Sequence, residues 1–200
     1  MEESKKRVLG IQLATDPRWV NMAEMSLEEI LTDHAFCEQK ATTSCISLIQ
    51  KYADRPLLVD KLSPIVSEEW SHFRLVLKEL EKRGLKLGKQ RKDEYVNKLL
   101  KFVRKGISTE ELLLDRLLVC AMIEARSCER FRLLSLNISE PALRSFYHKF
   151  MVSEAGHYRL FIDLAEHYLG QERTQERWQE CLRFEADLVS QLEPRADRMH

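Results

Sequence analysis

An all-α bundle is the fold class this sequence predicts, and three observations predict it. Apolar residues recur at the three-to-four spacing of a helix along most of the chain, and strand-type alternation is nowhere sustained. Serines, glycines and prolines punctuate that pattern into long segments with recognisable starts and stops. Apolar residues make up 44% and charged residues 32% of the 200, a balance that suits a helical core and rules out disorder. That length suits one domain with a real core, so residues 1–200 are read as a single domain.

The elements follow in order. A first helix opens at Ser26, with Glu29 three residues on as a capping box, and runs to about Tyr52, where Arg55-Pro56 breaks it. A second covers about Leu57 to Arg83 and is closed by Gly84. A basic connector, LKLGKQRKDE, leads into a short helix around Tyr95 to Lys105 that ends at Gly106. A third long helix starts at Ser108, with Glu111 completing its capping box, and continues to about Leu136. The turn Asn137-Ile138-Ser139 leads to a fourth, capped by Ser139 with Pro141 in its first turn, that ends near Gly170. A last helix spans roughly Thr174 to Leu192, and the tail after Pro194 is expected to fray. Two tight hairpins joined by one long connection of about 24 residues match the ferritin-like bundle, whereas an up-down bundle has no need of that connector. The expected fold is a ferritin-like four-helix bundle with one long crossover and an additional C-terminal helix.

Several classes drop out. Five cysteines, an odd number with no Cys-x-x-Cys pair, argue against a disulfide framework and against a thiolate metal site. The opening MEESKKRVLGIQLATDPRW is too polar for a signal peptide, and no run of 18 apolar residues follows. The expectation is a cytoplasmic protein without membrane attachment. Net charge is zero, but Lys78 to Lys105 holds eleven Lys or Arg against four acids, a local +7. Such a strip is either a solvated helix surface or a landing site for a polyanion. In the second case Lys82, Arg83, Lys86, Lys89, Arg91 and Lys92 grip phosphates, with Arg126, Arg130 and Arg132 adding to them.

The informative residues are acids and histidines placed where a core should be apolar. The inward stripe of the first helix reads Leu31, Ala35, Glu38, Thr42, Cys45, and that of the second Leu62, Ile65, Glu69, His72, Val76. The third gives Leu113, Leu117, Cys120, Glu124, Phe131, and the fourth Tyr147, Phe150, Glu154, His157, Phe161. Four core carboxylates are strongly destabilising unless positive charge compensates them, and two divalent cations supply +4 against −4. Two Glu-x-x-His matches alone are within reach of composition; their order is what carries weight. A lone Glu precedes each match, by 31 residues in the first half and 30 in the second. Helix rise puts Glu38 about 21 Å before its turn and Glu69 about 18 Å after it, and Glu124 and Glu154 about 18 and 21 Å from theirs. Within each hairpin, the lone Glu and the Glu-x-x-His therefore meet at one level. One Glu from each of two helices and a Glu-x-x-His from each of the other two is the di-metal carboxylate pattern. Each His then binds one metal, Glu69 and Glu154 bridge, and Glu38 and Glu124 are terminal ligands. Mixed N/O ligation suits iron, with manganese the main competitor. His34, one turn before Glu38, either orients it or is a packed histidine. Glu68 points off the stripe, Glu129 sits at salt-bridge spacing from Arg126 and Arg130, and His148, His167 and His200 read as surface residues.

The stretches DPRWVNMAEMSLEEILTDHAFCEQKA, SEEWSHFRLVLKELEKRG and LLLDRLLVCAMIEARSCERF, with SEAGHYRLF following, resemble the bacterial tRNA 2-methylthio-N6-isopentenyladenosine hydroxylase family. The similarity runs from about Asp16 to about Leu192, and the last helix contributes little to it. It implies a non-haem di-iron monooxygenase that inserts one oxygen atom into the isopentenyl group of the modified adenosine beside the tRNA anticodon. Its ligands correspond to Glu38, Glu69, His72, Glu124, Glu154 and His157, holding two iron ions. The implied partners are tRNA through its anticodon stem-loop, O2, and a separate reductase or ferredoxin, since no flavin or nicotinamide fingerprint is present. A monomer is expected. The rivals are another di-iron protein, such as a rubrerythrin-like peroxidase or an iron oxidase, and a non-enzymatic RNA-binding helical protein with salt-bridged core acids. The missing Cys-x-x-Cys module weighs against the peroxidase; a metal assay separates the last.

Overall fold

The computed structural model describes residues 8–193 together with Arg198 and Met199. Its helices, in chain order, are α1 (Arg18–Met25), α2 (Leu27–Lys51), α3 (Pro56–Lys82), α4 (Glu94–Leu99), α5 (Thr109–Asn137), α6 (Pro141–Leu169) and α7 (Gln171–Ser190). There is no strand among the described residues, and none of their helices is long and apolar enough to cross a membrane. The fold class is all-α and ferritin-like, with one long crossover and an additional C-terminal helix. The frayed tail and His200 expected from sequence fall on or beside positions 194–197 and 200, which lie outside the described residues.

Cα packing divides the chain into two compact units, one of residues 8–20 and 93–193, the other of residues 21–92 with Arg198 and Met199. In the second unit α2 and α3 form an antiparallel pair. They bury Leu31, Ala35, Leu58, Leu62, Val76 and Leu80, and each leucine side chain withdrawn from water stabilises by about 1.5–3 kcal/mol. Pro56 fits the first turn of α3 because its missing N–H has no partner there anyway. At the other end Gly84 takes φ +69, a left-handed conformation that releases the chain from the helix. The crossover then returns along α2: Gly88 donates to Thr32 Oγ1 at 3.2 Å. A Cβ at Gly88 would meet the Thr32 side chain at 3.3 Å, so a larger residue fits there only if Thr32 gives by a few tenths of an ångström.

In the first unit α5 and α6 pair, and α7 packs on both. Phe131, Tyr147 and Phe150 interlock at the α5–α6 interface, with ring centroids 5.8 and 5.5 Å from Phe131. The crossover lands here through Asp115, buried on α5, which accepts from the Arg104 backbone and guanidinium at 2.8–2.9 Å and from Arg177 of α7 at 2.8 Å.

Four local readings need correction. Helix α1 was not foreseen, because eight residues around Trp19 are too few to show a period. Ser26 does not cap α2 with its side chain: it follows α1 directly and has ψ 44 rather than the extended backbone a cap needs. At α6 the capping position is Glu140, again without a side-chain bond, and Ser139 lies outside. Ser108, by contrast, is extended and accepts from Glu111 N as expected. The short helix predicted to reach Lys105 stops at Leu99 and tightens into a 3-10 turn over Leu100–Phe102.

Candidate metal centre

Each unit carries a cluster of the same composition. In the α2–α3 pair, Glu38 comes from α2, and Glu69 and His72 stand one turn apart on the buried face of α3. Their ligand atoms lie within 4.8 Å of one another. His72 Nδ1 is 3.4 Å from Glu38 Oε2 and 3.7 Å from Glu69 Oε2. Glu38 Oε1 is held at 2.7 Å by Nε2 of His34, which is itself wholly buried one turn earlier on α2. Sequence left His34 open between orienting Glu38 and mere packing; the contact assigns it the first role. Glu68 is exposed, as its position off the stripe requires.

In the α5–α6 pair, Glu124 comes from α5, and Glu154 and His157 from α6. Their ligand atoms also lie within 4.8 Å of one another, and His157 Nδ1 is 3.6 Å from Glu154 Oε2. All three are buried. Two carboxylates and one imidazole, removed from water, are a donor set for a divalent first-row metal. Without a cation such carboxylates carry a desolvation cost that nothing apolar around them offsets. The residues therefore fit iron. Thiols do not compete: burial, reinforced by the charge of Glu124, pushes Cys120 up to about 12, and burial beside Glu154 pushes Cys128 up to about 12.

Sequence reading missed a second buried constellation in the same unit. Arg126, only 1% exposed, donates to Glu185 of α7 at 2.8 Å, to Glu129 at 3.0 Å and to the Leu13 carbonyl at 2.9 Å. Thr15 donates to Glu129 from its backbone at 2.8 Å and its hydroxyl at 2.6 Å, and Tyr95 donates to Glu185 at 3.1 Å. Arg130 lies over the ring of Trp19 at 4.7 Å, and burial with the nearby Arg126 pulls its guanidinium down to about 10. Arg126 and Arg130 are thus engaged inside the protein and do not extend a phosphate-binding strip. Only Arg132 of that trio is exposed. The Glu129–Arg126 pair foreseen from spacing is present; Glu185, at a distance of 59 residues, has no sequence signal linking it.

Of the six basic residues singled out, Lys82, Lys86, Lys89, Arg91 and Lys92 are exposed, and Arg83 is half-buried against Glu79 at 2.8 Å. His148 and His167 are exposed on α6.

A family model described as tRNA-(MS[2]IO[6]A)-hydroxylase (MiaE) matches residues 3–200. The chain belongs to this family. A tRNA 2-(methylsulfanyl)-N(6)-isopentenyladenosine(37) hydroxylase of Pseudomonas putida is 38% identical over 154 residues, which cover 77% of this chain and 74% of that protein. The enzyme of the same description from Salmonella typhimurium is 29% identical, over 76% of this chain and 73% of its own. Among solved structures, a Synechococcus protein with aldehyde deformylating oxygenase activity superposes with a TM-score of 0.89 at 34% identity, covering 95% of this chain and 94% of its own. Membership of the tRNA hydroxylase family makes this chain an oxidoreductase-type enzyme of tRNA modification.

Proposed function

We propose that Glu38, Glu69, His72, Glu124, Glu154 and His157 hold two iron ions. With them the protein hydroxylates the isopentenyl group of 2-methylthio-N6-isopentenyladenosine next to the tRNA anticodon. The observation that carries this reading is the repeated donor set, a Glu with a Glu-x-x-His, buried in each helix pair of a chain that belongs to a tRNA hydroxylase family. When bound, the iron pair would supply O2 activation, for the balance R–H + O2 + 2 e⁻ + 2 H⁺ → R–OH + H2O. The two electrons come from a separate reductase or ferredoxin.

The chain's own residues do the rest. The carboxylates and imidazoles would fix the ions, and His34 holds Glu38 in one orientation from outside the ligand set. Leu62, Leu117 and Phe161 are buried on the same stripes of their own helices as Glu69, Glu124 and His157, and help keep water from them. The exposed cations Lys82, Lys86, Lys89, Arg91 and Lys92, with Arg83, grip tRNA phosphates, and a monomer in the cytoplasm suffices for the task.

Mass spectrometry of tRNA nucleosides from cells with and without the protein tests the reaction. The hydroxylated nucleoside should vanish, and its unhydroxylated precursor accumulate, when the gene is removed; an unchanged nucleoside profile rejects the reading. Charge reversal at Lys89, Arg91 and Lys92 should raise KM for tRNA and flatten its salt dependence, and leave activity on the bare nucleoside near wild type. An unchanged KM for tRNA retires the strip as a binding surface.

A further inference from the structure

The protein has three tryptophans, and two are core residues: Trp19 is 0% and Trp178 4% exposed. Trp70 is 45% exposed, on α3 directly after Glu69 and two residues before His72. At a rise of about 1.5 Å per residue, its indole therefore leaves the helix within about 3 Å of the axial level of both proposed ligands. The ring is braced, since Phe73 stacks on it with centroids 4.9 Å apart and planes 29° apart. From Trp70 towards the crossover, the exposed face of α3 carries Ser71, Arg74, Leu75, Lys78, Glu81 and Lys82, three cations against one acid. Arg74 and Lys78 follow Trp70 at intervals of one helical turn, and neither forms an ion pair among the described residues.

An exposed, rigid aromatic followed by a ladder of cations has the composition that single-stranded nucleic acid selects, with a π-face for a base and positive charge for the backbone. A protein partner would gain nothing from the cations unless it were acidic. We propose that the α3 face from Trp70 to Lys82 docks the unpaired loop of an RNA, with Trp70 as the stacking platform for a loop base and Arg74, Lys78 and Lys82 as phosphate contacts. The proposal rests on the tRNA reading above and sharpens it: stacking at Trp70 brings a splayed loop to the level of Glu69 and His72.

The test uses intrinsic fluorescence of the purified protein, titrated with an anticodon stem-loop RNA and, separately, with a blunt RNA duplex of equal length. Filter binding measures Kd in parallel. The stem-loop should quench the exposed indole strongly and the duplex weakly. Trp70→Ala should weaken stem-loop binding about 5- to 100-fold, the cost of one lost base stack. Trp70→Phe, which keeps a ring and the contact with Phe73, should recover most of the affinity but show no quenching, because only Trp19 and Trp178 remain. Arg74→Glu with Lys78→Glu should lower the salt dependence of Kd, which Trp70→Ala leaves unchanged. Wild-type binding with no quenching, or Trp70→Ala binding within twofold of wild type, overturns the docking face while leaving the tRNA reading intact. No stem-loop binding by wild type overturns both. Quenching by an electron-donor protein but not by RNA gives the face to that partner and also overturns the proposal.

Discussion

Within one unit, two groups of buried acids each draw one member from α5 yet differ in kind. Glu129, with Glu185 of α7, faces Arg126, whose charge is permanent and whose nitrogens lie 2.7–3.0 Å from the oxygens. Glu124, five residues earlier on α5, shares its cluster with Glu154 and the imidazole of His157. In the first group the chain brings its own counter-charge, and burial of Glu185, which pushes its carboxyl up, is opposed by Arg126 and by the Tyr95 hydroxyl. In the second the proposed iron ions would supply it. Burial of an acid is thus no sign of a ligand by itself; the identity of its counter-group separates a structural acid from a binding one.

The comparison breaks most sharply at the ligand side. Glu154→Ala should take iron from about two ions per chain to well under one, since it removes the proposed bridge to both; elemental analysis that finds full loading would contradict the assignment. Arg126→Met should do the reverse. It strands Glu129 and Glu185 in the core and should lower folding stability by about 3–5 kcal/mol, measured by urea denaturation, with iron per folded chain unchanged. Iron loss in the folded Arg126→Met protein would show that the two groups are one functional unit.

Removal of iron by a chelator should destabilise the wild type by a smaller amount. At metal a hundredfold above Kd, linkage contributes about 2.7 kcal/mol, so apo and loaded protein should differ in Tm at pH 7. Equal values would place the acids' compensation within the chain, as for Glu129.

The smallest effect lies at the surface. Hydrogen bonds from Arg173 and then Arg104 lower the Glu111 carboxyl from 4.5 to about 2. A depressed folded-state value means stability that is present above pH 4.5 and lost as the pH falls from there towards 2. Glu111→Gln should therefore lower Tm slightly at pH 6, and the two proteins should converge only as the pH falls to about 2. A gap that persists at low pH would mean that packing, rather than charge, holds Glu111.

Much of this was legible in the chain. The helix pairs, the crossover and the two Glu-x-x-His clusters follow from spacing, because a period of 3.6 places residues three or four apart on one face whatever surrounds them. Ser108 and Glu111 announce α5 for the same reason: a cap is a contact between near neighbours in sequence. Ser26 failed as a cap because α1, too short to show a period, sets the backbone ahead of it.

What only the tertiary structure decided involves residues far apart in the chain. Arg126 was indistinguishable by sequence from Arg132, one a buried anchor and the other exposed; the difference lies in Leu13, Thr15, Tyr95 and Glu185, which converge only after folding. His34 at hydrogen-bond distance from Glu38, and Trp70 left outside while Trp19 and Trp178 went into the core, were decided in the same way. Local periodicity determines which face of a helix is turned inward. The partner that each inward side chain meets depends on three-dimensional packing, and no spacing rule reaches across 59 residues to name Glu185.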